Sequence, residues 1–496
     1  MPQANSPTIS TDPETNWTVL KSRLIEVLGS DNVLSKPVDL MVYECDGETL
    51  DKARPDLVVL PGCTNEVQEV IKIAKEFNVF FTPRGAGTGL SGGSTTVKGG
   101  ICLSLSRMNK VIEIDPENMA ATVQVGVTNL AVSNAAGKYN LYFAPDPSSQ
   151  FACTIGGNVA ENAGGAHTLK QGLTVDHVLG LTIVLPDGST TTFGGKAHDC
   201  LGLDLLGLFI GSEGTLGIAT EAILKLTPVT PSVETILAYF PTLEDGGNAV
   251  SAIVSTGVIP SAMEMIDQLT LSCVEDSLHL GLNTEAAALI IVELDGIATA
   301  IKEELAIVQA CLEKHNSFGI KIAGSKEERA AIWKARKGSF AALGRIAPHA
   351  YVLDGVVPRS KLALAINKIS AIGKEYNLTI ANVYHAGDGN LHPALLFNRD
   401  NSDEVRRVMQ AAEKILLLCV ELGGTLSGEH GIGIEKLQEM PQVFSQAELA
   451  TMRLIKECFD KDGLCNPGKL VPMPKGCGEA GWRPLLRHQL STSGAI

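Results

Sequence analysis

Residues 83–93 read Pro-Arg-Gly-Ala-Gly-Thr-Gly-Leu-Ser-Gly-Gly. Within them Gly87, Gly89 and Gly92 match the spacing G-x-G-x-x-G. In a nucleotide-binding βαβ unit that spacing opens a helix whose N-terminus holds a pyrophosphate. The continuation here, Gly93-Ser-Thr-Thr-Val-Lys-Gly-Gly100, is too rich in glycine and β-branched residues to make that helix. A doubly wound nucleotide fold is therefore not expected. The anion chemistry survives, because consecutive small residues expose backbone N–H groups that line a concavity for a phosphate without a helix.

Two further stretches share this texture. One is Pro145-Asp-Pro-Ser-Ser149, running on to Thr154-Ile-Gly-Gly-Asn158 and Asn162-Ala-Gly-Gly165; the other is Gly211-Ser-Glu-Gly-Thr-Leu-Gly-Ile218. Three glycine-rich stretches in one region predict a long, flat, phosphate-bearing ligand laid between backbones. Gly463–Lys469 has phosphate-loop spacing, but Leu470 stands where Ser or Thr must hold Mg²⁺, and it is set aside.

Composition narrows the partners. The 496 residues are 45% hydrophobic and 19% charged, which suits buried cores and not a disordered chain. A formal charge of −15 argues against a nucleic-acid partner, whose phosphates need a basic face. No run approaches the ~20 apolar residues of a membrane span. Met1–Asn16 has no basic or apolar region and no arginine, so neither a signal nor a transit peptide is expected. The 11 cysteines include no C-x-x-C pair and read as reduced thiols of a cytoplasmic protein, without iron–sulfur or zinc-ribbon ligands.

Along the chain, Trp17, Leu20, Leu24 and Leu28 repeat at helical spacing. The pattern then predicts a strand at 57–60 and a helix capped by Thr64 or Asn65, with Val67, Val70, Ile71 and Ala74 inward. A strand at 79–81 is stopped by Pro83, and short strands follow at 101–105, 121–125, 181–185 and 218–226. Beyond Pro228 the expected order is strand 234–240, helix 243–255, strands 261–266 and 287–294, helix 298–315 and strand 320–323, a ferredoxin-like β-α-β-β-α-β order. A long helix (326–342), an α/β passage (350–422) and a helical end (436–460) complete the reading. The domains so expected are an N-terminal arm and helix (1–39), a first domain (40–228), an α+β domain (229–422), a C-terminal segment (423–471) and an extended tail (472–496).

A second signal lies in Ile380-Ala-Asn-Val-Tyr-His385-Ala-Gly-Asp-Gly-Asn-Leu-His392-Pro393. Asp388-Gly389 between apolar flanks predicts a two-residue hairpin turn that pairs His385 with His392. Opposed residues share a face with Cβ atoms about 4.5–5.5 Å apart, so the two imidazoles can converge on one metal. For two histidines alone, cross-strand packing is the commoner arrangement. Leu426-Ser-Gly-Glu429-His430-Gly431 offers further ligands, although sequence does not show that the two segments meet. The other histidines, His167 among them, have no comparable neighbours.

The ordered glycine stretches resemble the FAD-binding domain of the vanillyl-alcohol-oxidase-type (PCMH-type) FAD-linked oxidases over residues 40–228. The motifs His-Ala-Gly-Asp-Gly-Asn-Leu-His and Gly-Glu-His-Gly resemble the C-terminal domain of that family's D-2-hydroxyacid dehydrogenase branch. The likeness extends to Asn466-Pro-Gly-Lys469. It implies an α+β chain: a two-subdomain FAD-binding domain, a ferredoxin-like substrate (cap) domain, and a helical C-terminal segment returning towards the flavin. The implied FAD contacts are Arg84, Gly85, Ala86, Gly87, Thr88, Gly89, Leu90, Ser91, Pro145, Asp146, Ser149, Thr154, Gly157, Asn158, Gly164, Glu213, Gly217, Ile218 and Asn466. Some relatives attach flavin through a histidine in the first loop; residues 83–93 hold none, which implies non-covalent FAD.

By the same resemblance His385, His392 and Glu429 hold a divalent metal (Zn, Mn or Fe), His430 is the general base, and Arg336 of Trp333-x-x-Arg336 receives a substrate carboxylate. Relatives acting on dicarboxylates tend to carry a further basic residue in the strand that here reads Tyr351-Val-Leu-Asp354. Its absence favours D-lactate or glycolate over 2-hydroxyglutarate. The implied partners are a small 2-hydroxy acid and a separate electron acceptor: a quinone, a cytochrome or an Fe–S subunit. A homo-oligomer or a multi-subunit complex, in the cytoplasm or peripheral at the membrane, fits this reading. A metallohydrolase using the same histidines is the alternative from another class, and it leaves the glycine stretches unexplained.

Overall fold

Leu20, Leu24 and Leu28 fall on one side of a helix, Trp17–Leu28, and all three are buried. This helix is the first described element of the computed structural model, which describes residues 15–197 and 202–472. The first 14 residues of the expected arm, the tail from 473 onward, His198 and His488 lie outside the described residues. The described chain divides into two compact units. The first comprises 15–163, 174–228 and 430–472, and the second 164–173 and 229–429.

The first unit contains two sheets. One has the order Val33–Leu34, Leu57–Val59, Ile101–Ser104, Phe81–Arg84, with the last three strands parallel. Pro83 does not stop its strand as expected; it pairs with Leu103 on the edge strand, where its missing N–H costs no ladder bond. The helix Thr64–Glu76 buries Val67, Val70, Ile71, Ile73 and Ala74. Its cap is Cys63 in extended backbone, not Thr64 or Asn65, and the Glu66 carboxylate accepts from Gly62 N–H at 2.7 Å instead. The second sheet is antiparallel, in the order Val111–Asp115, Ala120–Gln124, Ile218–Lys225, Val178–Val184, Thr190–Gly194. One apolar core joins these elements to Leu464 and Cys465 near the C-terminal end.

In the second unit the β-α-β-β-α-β order forms, with an additional helix, Gln268–Leu278, that the periodicity did not indicate. Its strands run in the order Phe318–Ile322, Ser232–Phe240, Ala288–Gly296, Ala262–Asp267, all antiparallel. The sheet continues through Thr379–His385, Asn390–Phe397 and His349–Val352. The long helix expected at 326–342 is two, Lys326–Lys337 and Ser339–Leu343, divided at Gly338.

The expected C-terminal segment 423–471 is not one piece. Its first residues, through Glu429, belong to the second unit, and from His430 the chain belongs to the first. Segment 164–173 likewise departs from the expected first domain and packs in the second unit. The nine cysteines of the described residues are free. Among those residues no helix is long and apolar enough to cross a membrane.

Candidate functional site

In the first unit the strand Phe81–Arg84 delivers the chain into the glycine-rich loop, and no helix follows it. Gly87 and Gly92 have φ of +70° and +74°, a region that favours glycine. Arg84 is buried, lies over the Tyr43 ring and donates to Ser94 Oγ at 3.2 Å. A buried cation beside a glycine-rich backbone suits a pyrophosphate.

The three stretches meet within this unit. A Cβ on Gly85 would lie 2.3 Å from Thr154 Oγ1, and one on Gly93 would lie 2.5 Å from Glu161 Oε1. Thr154 caps the helix Ile155–Glu161 by accepting from Gly157 N–H at 3.3 Å. Pro145 and Asn158 are joined by Asn129, whose Nδ2 donates to Pro145 O (2.9 Å) and Asn158 Oδ1 (3.1 Å). Asn129 carries no sequence signal of its own and was not anticipated. Ser149 O receives the N–H groups of Ala152 and Cys153. Gly217 (φ +147°) immediately precedes Ile218, the first residue of a central strand of the second sheet.

Asn466 fastens the set. Its Nδ2 donates to Gly93 O (3.1 Å) and Glu213 O (2.7 Å), and its N–H donates to Phe81 O (2.8 Å). Lys469 Nζ donates to Thr95 O at 2.6 Å. Glu213 accepts from Ile432 N–H (2.6 Å) and Gly433 N–H (2.7 Å), which anchors the chain just after His430. Burial pushes Glu213 up to about 7 against the pull of those N–H groups and of Lys436 and Lys469. Burial also lowers Lys469 to about 8, opposed by Asp46, Glu213 and Glu161. Gly164 alone of the implied flavin contacts falls in the second unit. A Cβ there would lie 2.9 Å from Glu429 Oε2.

In the second unit the histidine hairpin forms, but not in the expected register. Its loop is four residues, Ala386–Gly389, so His385 pairs with Asn390, and Val383 with His392. Gly387 N–H donates to Met263 O, and Gly389 packs on Val357 O, where a Cβ would lie at 2.1 Å. These tertiary contacts override the local turn preference. The shift leaves the two histidines diagonal, which keeps them on one face because the strand period is two. Their ring centroids are 5.1 Å apart.

Both Nε2 atoms point at one carboxylate oxygen. His392 Nε2 is 3.1 Å and His385 Nε2 3.4 Å from Glu429 Oε1. The opposite nitrogens are engaged, His385 Nδ1 with Glu264 Oε1 (2.7 Å) and His392 Nδ1 with Leu353 O (3.0 Å). If Nδ1 carries the proton in each ring, two nitrogen lone pairs and a carboxylate oxygen face one another, a donor set that suits a divalent cation. Without one, charge settles on protons. Burial opposes it, but Glu264 and Glu429 raise His385 well above the ordinary imidazole range, and His385 and His392 bring Glu429 well below the carboxylate range despite its burial. A bound cation competes for the sites those protons occupy.

Asp354 is also close, with ligating atoms of Asp354, His392 and Glu429 within 4.8 Å of one another. Its Oδ2, however, accepts from Ser427 Oγ (2.6 Å) and from Gly428 and Glu429 N–H (3.0 and 3.2 Å). Asp354 thus shapes the turn that presents Glu429. His430 follows Glu429 directly, about 3.8 Å along the chain.

Arg336 does not reach solvent as a free guanidinium. It is 4% exposed, with Nε 2.5 Å from Glu264 Oε2 and Nη2 3.4 Å from His385 Nδ1. Arg329, Trp333 and Arg336 lie at i, i+4 and i+7, on one helix face. Arg329 binds Glu293 through two bonds of 2.8 Å, and Trp333 Nε1 donates to the same carboxylate at 2.6 Å. Glu293 also meets His167, whose ring stacks on Trp333 at 5.8 Å, and this fastens segment 164–173. Glu264 and Glu293 carry no motif in the sequence, since each stands between apolar neighbours of its strand.

Family models divide the chain near residue 230, although 164–173 lie in the second unit and 430–470 in the first. Residues 55–194 match an FAD binding domain, and 230–470 match the C-terminal domain of FAD linked oxidases. The chain is 43% identical over 469 residues to the glycolate oxidase subunit GlcD of Escherichia coli (strain K12), covering 95% of this chain and 94% of that one. It is 33% identical to a D-lactate dehydrogenase of Anaerostipes hadrus, covering 84% and 90%. A crystal structure of p-cresol methylhydroxylase with substrate bound superposes with a TM-score of 0.75 at 17% identity, over 91% of this chain and 96% of that one, which shows the shared PCMH-type fold. The chain belongs to the FAD-linked oxidases of PCMH type, alongside glycolate oxidase subunit GlcD and D-lactate dehydrogenase.

Proposed function

We propose that this chain is a flavoprotein dehydrogenase that oxidises a small D-2-hydroxy acid, D-lactate or glycolate, to the 2-keto acid. The observation that carries the reading is the convergence of His385 Nε2 and His392 Nε2 on Glu429, with both Nδ1 atoms engaged, in an FAD-linked oxidase. The names of its relatives, a glycolate oxidase subunit and a D-lactate dehydrogenase, support the substrate class.

His385, His392 and Glu429 would hold the divalent cation, and imidazole with carboxylate accepts Zn²⁺, Mn²⁺ or Fe²⁺. Such a cation supplies Lewis acidity towards the substrate hydroxyl, and FAD, held non-covalently by the glycine stretches and Asn466, supplies the hydride acceptor. His430 takes the hydroxyl proton, since imidazole is the side chain suited to that task near pH 7. The Nη groups of Arg336 meet the substrate carboxylate, while its Nε stays on Glu264. Tyr351-Val-Leu-Asp354 adds no cation for a second carboxylate, which favours a monocarboxylate. A separate quinone, cytochrome or Fe–S subunit would accept the electrons, with this chain as the catalytic subunit in the cytoplasm or at a membrane surface.

The test is stopped-flow bleaching of the flavin against D- and L-hydroxy acids under anaerobic conditions. D-Lactate or glycolate should bleach it fastest. A colourless protein that hydrolyses esters would replace this reading with a metallohydrolase.

A further inference from the structure

Glu264 stands in the strand Ala262–Asp267 among Ala262, Met263, Met265 and Ile266, and is 1% exposed. An apolar side chain would pack there at no electrostatic cost, whereas a buried carboxylate is retained only with strong partners. Its partners are two. Oε1 faces His385 Nδ1 at 2.7 Å, and Oε2 takes Arg336 Nε at 2.5 Å. A guanidinium on one oxygen and an imidazole on the other suit the anionic form of this carboxyl.

The two histidines differ in what stands behind them. His392 Nδ1 has a backbone carbonyl, Leu353 O, fixed by the fold whatever the side chains are. His385 Nδ1 has a side-chain anion at 2.7 Å, with Arg336 Nη2 farther off at 3.4 Å, and that anion is itself held by Arg336 Nε from the helix Lys326–Lys337. A carboxylate behind a ligating imidazole fixes its tautomer and strengthens the opposite nitrogen as a donor.

We propose that Glu264 is a positioning residue of the metal site: it keeps the proton of His385 on Nδ1 and so presents Nε2 to a divalent cation beside Glu429, while Arg336 holds Glu264 in place. The inference rests on the metal reading given above. It makes Trp333-x-x-Arg336 in part a support for the metal ligands, since the same guanidinium that meets substrate also steadies the carboxylate behind His385.

The test uses the full-length holoprotein loaded with Zn²⁺, with affinity measured by chelator competition. Glu264→Gln keeps the shape but removes the charge, and it should weaken Zn²⁺ by about tenfold or more. Glu264→Gln combined with Arg336→Gln removes both buried charges; it should regain thermal stability lost in the single variant without regaining Zn²⁺ affinity. In Zn²⁺-loaded protein with ¹⁵N-labelled histidine, the His385 Nδ1–H resonance, assigned by its loss in His385→Ala, should be far downfield and move upfield in Glu264→Gln. Unchanged affinity in both Glu264 variants with an unmoved resonance would reduce Glu264 to packing and leave the metal reading intact. Wild-type protein that takes up no Zn²⁺ or Mn²⁺ would overturn the metal reading and this inference together.

Discussion

The two units hold their candidate ligands by different means. The first works through backbone, with glycines that admit no side chain and an asparagine that ties their carbonyls together. The second works through side chains, with imidazoles and carboxylates indexed by further buried charges. A backbone cradle is recognised by what is absent from the sequence. A side-chain cluster is recognised only when its partners come together in the fold.

The largest effect should come from His430, which directly follows Glu429, one of the proposed metal ligands. His430→Ala should lower turnover by about 10²–10⁴-fold while the flavin spectrum is unchanged. Activity near wild type would remove the base. Next come the backbone cradle's fixed points. Gly433 has φ +51°, and a Cβ there would lie 2.0 Å from Ser91 O. Gly433→Ala should cost about 1–3 kcal/mol and release flavin, read by denaturant unfolding and bound FAD per chain. Asn466→Ala strands two buried carbonyls at about 1–3 kcal/mol each and should do the same. Metal content should not change in either variant, which separates the two kinds of site.

The smallest effects are in pH, and they run in opposite directions. Glu293 is held at about 2: burial would raise it, but His167, Arg329 and Trp333 bring it down. Its contribution is complete above the ordinary carboxyl pKa of 4.5 and is lost as pH falls towards 2. Glu213 is raised to about 7, so its contribution is complete below 4.5 and is lost as pH rises through 7. Hydrogen exchange corrected for intrinsic pH dependence should show the first unit loosening as pH rises from 4.5 to 7 and the second as pH falls from 4.5 towards 2. Glu213→Gln and Glu293→Gln should each flatten one limb only.

Much of this was legible in the sequence where the signal is local. The helix Leu243–Ser255 and the ferredoxin-like strand order follow from periodicity, because each face is set by residues a few positions apart. The failure of the glycine loop to open a helix followed from Gly93–Gly100. The hairpin register did not, since Gly387 and Gly389 are set by Met263 and Val357, far away in the chain. Gly164 was assigned to the flavin through the family resemblance, which gave no sign that His167 and Lys170 tie its segment to Glu293 and Asp295 of the second unit. Glu264, Glu293 and Asn129 have no motif, and only their partners reveal what they do.

The most direct measurement is the rate of flavin bleaching by D-lactate and by glycolate in one preparation, before and after the metal is stripped by a chelator and restored as Zn²⁺ or Mn²⁺. The account predicts rapid bleaching in the loaded protein, near-complete loss on stripping with FAD still bound, and recovery on reloading. Bleaching at the same rate in the stripped protein would contradict it.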